Sequence, residues 1–136
     1  MSIRWIKLLL LVCGIYDLLL GAVVAIAPAA FFRIAGVTPP NHYGYVQFPA
    51  LLLIIFGAMF LRAAADPVRR RDVIVYGMAL KASYSGLVFW YELHGGVPAL
   101  WIPWAWADLA FLLLFLVAWR TVSRESLVRG QSASER

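Results

Sequence analysis

The chain is short of the residues that make a water-facing surface: charged side chains are 14% of its 136 residues, against 63% hydrophobic, and mean hydropathy is +0.81. A soluble globular domain carries about 25% charged residues. The shortage therefore excludes an ordinary soluble surface and reads as an integral membrane protein. The single cysteine, Cys13, excludes an internal disulfide and a CxxC redox pair, and with them quinone chemistry of the disulfide-forming kind. No HExxH, no GxSxG and no phosphate-cradling glycine loop is present. The histidines, His42 and His94, sit in connections, so the facing-span pair that a membrane b-type haem requires is missing. The formal charge of +5 forms no patch with interleaved aromatics, and nucleic acid is therefore not an expected partner.

What is present is a series of long apolar runs. One crossing takes about 20 mostly apolar residues, so the chain has room for one domain of about four spans. The expected fold is all-α integral membrane: a four-transmembrane-helix bundle with spans near 5–27, 49–65, 72–91 and 102–120. A short interfacial helix is expected between spans 1 and 2 in PAAFFRIAGV, followed by an extended turn in TPPNHYGY. Pro49 and Pro103 fall near span starts, where a missing N–H costs little, and Pro28 and Pro67 follow span ends. The membrane domain is expected over 1–124 and a polar tail over 125–136, loose beyond the first turn or two after Arg120.

Arg4 and Lys7 ahead of LLLLV, with AIAPAA further on, have the outline of a signal peptide. Asp17 interrupts the apolar stretch and Pro28 is badly placed for cleavage, so a retained first helix is expected. A lipoprotein site at LLVCG fails because Val12 stands where a small residue is needed.

Of the 12 Lys and Arg residues, all but Arg33 and Lys81 collect at one side of the four expected spans. The excess of basic residues on the cytoplasmic side predicts a bacterial cytoplasmic-membrane protein with both termini and the DPVRRRD loop inside the cell. Trp5, Tyr76 and Trp119 then mark the inner boundary, and Phe31, Phe32, Tyr43, Trp90, Tyr91 and Trp101 the outer one.

Three ionisable residues interrupt the spans: Asp17, Lys81 and Asp108. At about 1.5 Å per residue, Lys81 lies about 13 Å from the inner end of its span and both aspartates about 18 Å. The lysine stem bridges that difference, so the three are expected to form one cluster. Phase agrees, because Asp17 shares a face with Gly14, Gly21 and Ala25, where helix backbones approach closely. Lys81 shares its face with Gly77, Tyr84, Ser85 and, further out, Glu92; Tyr84, Ser85 and Glu92 are the expected polar neighbours. An unpaired charge at a helix centre costs about 2.5–3.5 kcal/mol on insertion scales, so pairing is needed. Two roles are open to the cluster: an ion pair that sets helix register, or a surplus carboxyl that exchanges a proton or binds a polar headgroup. His42 and His94, with Glu92, are the weak candidates for a surface metal site.

The runs IYDLLLGAVVAIAPAAFFRIAG, ADPVRRRDVIVYGMALK and WIPWAWADLAFLLLF, together covering much of residues 3 to 120, resemble the small bacterial membrane proteins grouped as DoxX-like. That resemblance implies a four-helix bundle and membership of quinone-linked redox complexes, and it transfers no catalytic residue. The acidic residue of the first span, Asp17, is also similar to that of the small multidrug resistance exporters.

The functional expectation is a non-catalytic accessory or scaffold subunit of a larger membrane complex. Its partners would be the lipid bilayer and another membrane protein or a second copy of the chain. No cofactor is required by the residues, although contact with quinone or lipid fits. The alternatives are a proton-coupled small-molecule exporter acting as a homodimer, and a quinone-linked redox component.

Overall fold

The computed structural model describes residues 1–134, with side chains described as far as Val128. Its elements are α1 (Ile3–Ile26), α2 (Pro28–Ala35), α3 (Gly44–Ala65), α4 (Arg71–His94) and α5 (Trp101–Ser134). Helices α1, α3, α4 and the Trp101–Val128 part of α5 are long and apolar enough to cross a membrane. The protein is thus an all-helical membrane bundle, with the short α2 between its first two spans.

Local chemistry sets the breaks. Pro28 opens α2 at a position whose N–H has no intrahelical partner in any case. Gly36 closes it at φ 66°, where the Gly36 N–H donates to Arg33 O and the Val37 N–H to Phe32 O. This paired Schellman arrangement needs the left-handed conformation that glycine adopts freely. At the α3–α4 turn, Asp66 Oδ1 accepts the Arg69 N–H at 3.2 Å, and Asp72 lies in the first turn of α4 beside its positive dipole end. Gln47 Nε2 donates to Ala25 O at 2.9 Å, pinning the start of α3 to the end of α1.

Two boundaries differ from the sequence expectation. Helix α3 starts at Gly44, so Pro49 lies inside it and denies the Tyr45 carbonyl its usual helical donor. Helix α5 continues past Arg120 to Ser134. The apolar run ends near Trp119, but hydropathy reports where a helix leaves lipid, and no proline follows to stop it. The tail residues 135 and 136 lie outside the described residues.

The helices assemble as antiparallel pairs, α1 with α3 and α4 with α5. Small residues make the first pair close: an added Cβ at Gly14 would sit 2.9 Å from Gly57 O, and one at Gly21 only 2.6 Å from Ala50 O. The pairs meet through Gly77 of α4, against which the Phe60 and Phe115 rings pack, their centroids 5.4 Å apart at 62°. Ile6, Leu10, Cys13, Ile74, Ala118 and Val122 complete this apolar core in the half of the bundle nearest both termini. Outward faces carry Leu8, Leu11, Ile15, Leu19 and Val23 on α1 and equivalent residues elsewhere, while the buried set combines the apolar core with the charged Asp17, Lys81 and Asp108. An outer face this apolar is what a lipid environment permits.

Candidate functional site: a charged floor under an apolar cavity

Above the apolar core, away from the termini, the helix pairs separate around a cavity of about 330 Å³. Leu20, Val24, Ala50, Leu53 and Leu80 give it apolar walls, and Phe31 of α2 and Trp101 stand at its outer end. Leu52 of α3 and Leu87 of α4 line it and are also exposed on the surface of the bundle. Pro49 borders the same space, which places the interrupted helical bond of α3 beside it.

The floor is built from three helices. Asp17 comes from α1, Lys81 from α4 and Asp108 from α5, and the cluster expected from the sequence is present. Lys81 Nζ donates to Asp17 Oδ1 at 2.6 Å, with both side chains at 0% exposure. Its distance to Asp108 Oδ1 is 3.0 Å, an ion-pair contact without hydrogen-bond alignment. Asp17 Oδ2 and Asp108 Oδ1 therefore have no hydrogen-bond partner among the described residues. Asp17 and Asp108 both border the cavity, and Asp108 keeps 7% of its side chain exposed.

Aromatic rings complete the surroundings of the ammonium. Nζ lies 5.0 Å from the Tyr16 ring centroid and 5.6 Å from that of Phe111, where the negative ring faces favour a cation. Tyr16 also packs on Phe111 at 5.5 Å and on Trp104 at 6.0 Å, joining α1 to α5 across the floor. The sequence reading missed Tyr16 and Phe111. Their signal was positional, since Phe111 lies three residues beyond Asp108 on one helix face and Tyr16 adjoins Asp17.

The expected polar neighbours divide. Tyr84 lines the cavity and donates its hydroxyl to Trp101 O at 3.2 Å, tying α4 to the start of α5. Ser85 is buried, but its hydroxyl donates to the Lys81 carbonyl at 2.6 Å, a local bond within α4. Glu92 is not in the cluster. It is exposed and accepts the Val97 N–H at 2.9 Å in the α4–α5 connection, about 16 Å along the helix from Lys81 at 1.5 Å per residue. Sharing a face is not sharing a depth. His42 and His94 also have local roles: His42 Nδ1 accepts the Gly44 N–H at 3.0 Å, while His94 stacks on Trp90 with centroids 4.1 Å apart. Among the described residues, no three His, Cys, Asp or Glu side chains gather as a metal-holding group.

Comparison with known proteins returns no matching family model, no matching curated protein and no matching solved structure.

Proposed function

We propose that this protein is a non-catalytic component of a membrane complex that holds an amphipathic molecule, a lipid or a quinone-like compound, inside its bundle. The observation that carries this reading is the shape and chemistry of the cavity: apolar walls of membrane-embedded helices above a floor of ionisable side chains. Its volume of about 330 Å³ falls at the lower end of the range for small-molecule pockets. Leu52 and Leu87 join the cavity lining to the lipid-facing surface, so a tail would lie along α3 and α4 while the head enters. Asp17, Lys81 and Asp108 join three helices and also give the cavity its polar end, so the register and binding roles coincide in one cluster.

In this reading the chain lies in a bacterial cytoplasmic membrane with both termini in the cytoplasm, and the cavity opens toward the outer half of the bilayer. The basic residues at the terminal side of the bundle support that orientation. Another membrane protein or a second copy of the chain would cover part of the exposed aromatic surface around Trp90 and Trp106. The resemblance to DoxX-like proteins is in keeping with such a complex.

Extraction from native membranes in a mild detergent, followed by native mass spectrometry, tests the reading. The chain is expected in an assembly larger than itself, carrying an amphiphile that is lost in Leu53→Trp, where the larger side chain fills the cavity. A bare monomer or homodimer that drives substrate across vesicles with a proton gradient would replace it with the exporter reading.

A further inference from the structure

The two carboxylates of the floor are not equivalent. Asp17 is fully enclosed and uses Oδ1 to accept from Lys81 at 2.6 Å. Asp108 meets the same ammonium through Oδ1 at 3.0 Å without hydrogen-bond alignment, and it borders the cavity with 7% of its side chain exposed; Oδ1 itself is buried, so that exposure belongs to the rest of the side chain. Tyr84 and Ser83 on the cavity wall direct their hydroxyls elsewhere, donating to Trp101 O and Ala79 O.

We propose that the cavity selects an amphiphile with an ammonium head, and that Asp108 is the residue that holds that head. This rests on the amphiphile-binding reading above and adds the charge of the ligand. With all three side chains ionised, Asp17, Lys81 and Asp108 sum to one negative charge, and an ammonium at Asp108 brings the enclosed set to neutrality. In a low-dielectric site, a charge with a partner is far cheaper to bury than one without. Tyr16 and Trp104 also line the cavity, their ring centroids 6.0 Å apart, and aromatic rings favour a nearby cation. A carboxylate or phosphate head meets a surplus anion instead. A quinone head brings carbonyl oxygens, which are acceptors, to a carboxylate that is itself an acceptor. The shared chemistry is therefore an ammonium on an apolar tail, whether a free alkyl amine or the headgroup of an ethanolamine lipid.

Thermal unfolding of the full chain in a non-ionic detergent, at neutral pH with decylamine, decanol or decanoate, reads the head preference directly. A ligand that binds only the folded state raises the midpoint. Decylamine is expected to bind about ten-fold or more tightly than decanol, in line with a charge-assisted hydrogen bond. Decanoate is expected to be the weakest of the three. In Asp108→Asn the preference for amine over alcohol should vanish while decanol binding persists, and Asp108→Glu should restore part of it.

Nanodiscs of phosphatidylethanolamine or phosphatidylcholine separate the sources. Stabilisation by the ethanolamine lipid alone, dependent on Asp108, assigns a lipid headgroup; stabilisation by decylamine in phosphatidylcholine assigns a free amine. Equal binding of amine, alcohol and carboxylate by the unmodified chain would overturn the ammonium assignment and leave the amphiphile reading intact. Failure of all three ligands, with Leu53→Trp indistinguishable from the unmodified chain, would overturn both. The comparison on the unmodified chain decides even if Asp108→Asn does not fold.

Discussion

At the residue scale, the cluster is asymmetric in what each member needs from the others. Lys81 is wholly enclosed, with one aligned acceptor in Asp17 and a second carboxylate 3.0 Å away in Asp108. Lys81→Met removes the only cation in the cluster and leaves two carboxylates facing each other. Losing one partner of a buried pair costs about 3–5 kcal/mol, whereas replacing all the charges is often close to neutral. Lys81→Met alone is thus expected to be less stable than the triple variant with Asp17→Asn and Asp108→Asn, as read by thermal unfolding in detergent. If Lys81→Met were neutral and the triple variant no better, the three residues would not act as one network. The aspartates should also differ. Asp17→Asn is expected to lower the unfolding midpoint more than Asp108→Asn, because only Asp17 makes the aligned 2.6 Å bond at full burial. Equal losses would mean that the Asp108 contact is as strong as the shorter one.

At the element scale, glycine decides how near the helices come. Gly14 and Gly57 face each other across α1 and α3, with added Cβ atoms 2.9 and 2.8 Å from the opposing backbone oxygens. Backbone cannot swing aside as a flexible side chain can, so Gly14→Ala, Gly21→Ala and Gly57→Ala should each force α1 from α3. Helix separation at this seam also disturbs the wall of the cavity. Gly86 supplies the control, since an added Cβ there has nothing within 4 Å. Gly86→Ala is expected to be neutral or to gain up to about 1 kcal/mol from helix propensity. Equilibrium unfolding should place Gly21→Ala well below Gly86→Ala, and similar values for the two would remove the close-contact account of α1–α3 pairing. At the end of α2, Gly36→Ala should lower stability despite open space around the Cβ, because its φ of 66° is strained for alanine.

At the scale of the whole molecule, the bundle has two unlike halves. The half nearest the termini is filled by Phe60 and Phe115 closing on Gly77. The opposite half is lined by Val24, Ala50 and Leu53 and holds the cavity. The functional direction of that opening depends on topology, which single-cysteine labelling can establish. In a Cys13→Ser background, a cysteine at His94 should react with an impermeant thiol reagent from outside intact cells. One at Arg69, on the α3–α4 turn, should react only after permeabilisation. Both native residues are exposed, so accessibility of the site itself does not limit either reaction. Labelling of both from the same side would refute the four-crossing arrangement.

Much of this was legible in the chain itself. The number and place of the long helices follow from apolar runs, because a backbone in hydrocarbon must satisfy its own hydrogen bonds. Asp17, Lys81 and Asp108 could be grouped in advance because an ionised side chain at such depth needs a counter-ion, and few others lie at that level. Hydropathy did not reveal that α5 runs on to Ser134, since a helix can persist after its lipid-facing stretch has ended. Nor could face-sharing reveal that Glu92 serves the α4–α5 connection, because phase around a helix carries no information about distance along it. The cavity, and the difference between a fully enclosed Asp17 and an Asp108 that keeps 7% of its side chain exposed, belong to the tertiary structure alone. A void is space left where helices on several sides fail to fill the gap between them, and its size depends on backbone separation and rotamers at many positions at once. Charge demanded that the three residues meet; packing decided that Asp108, and not Asp17, keeps some side-chain surface exposed.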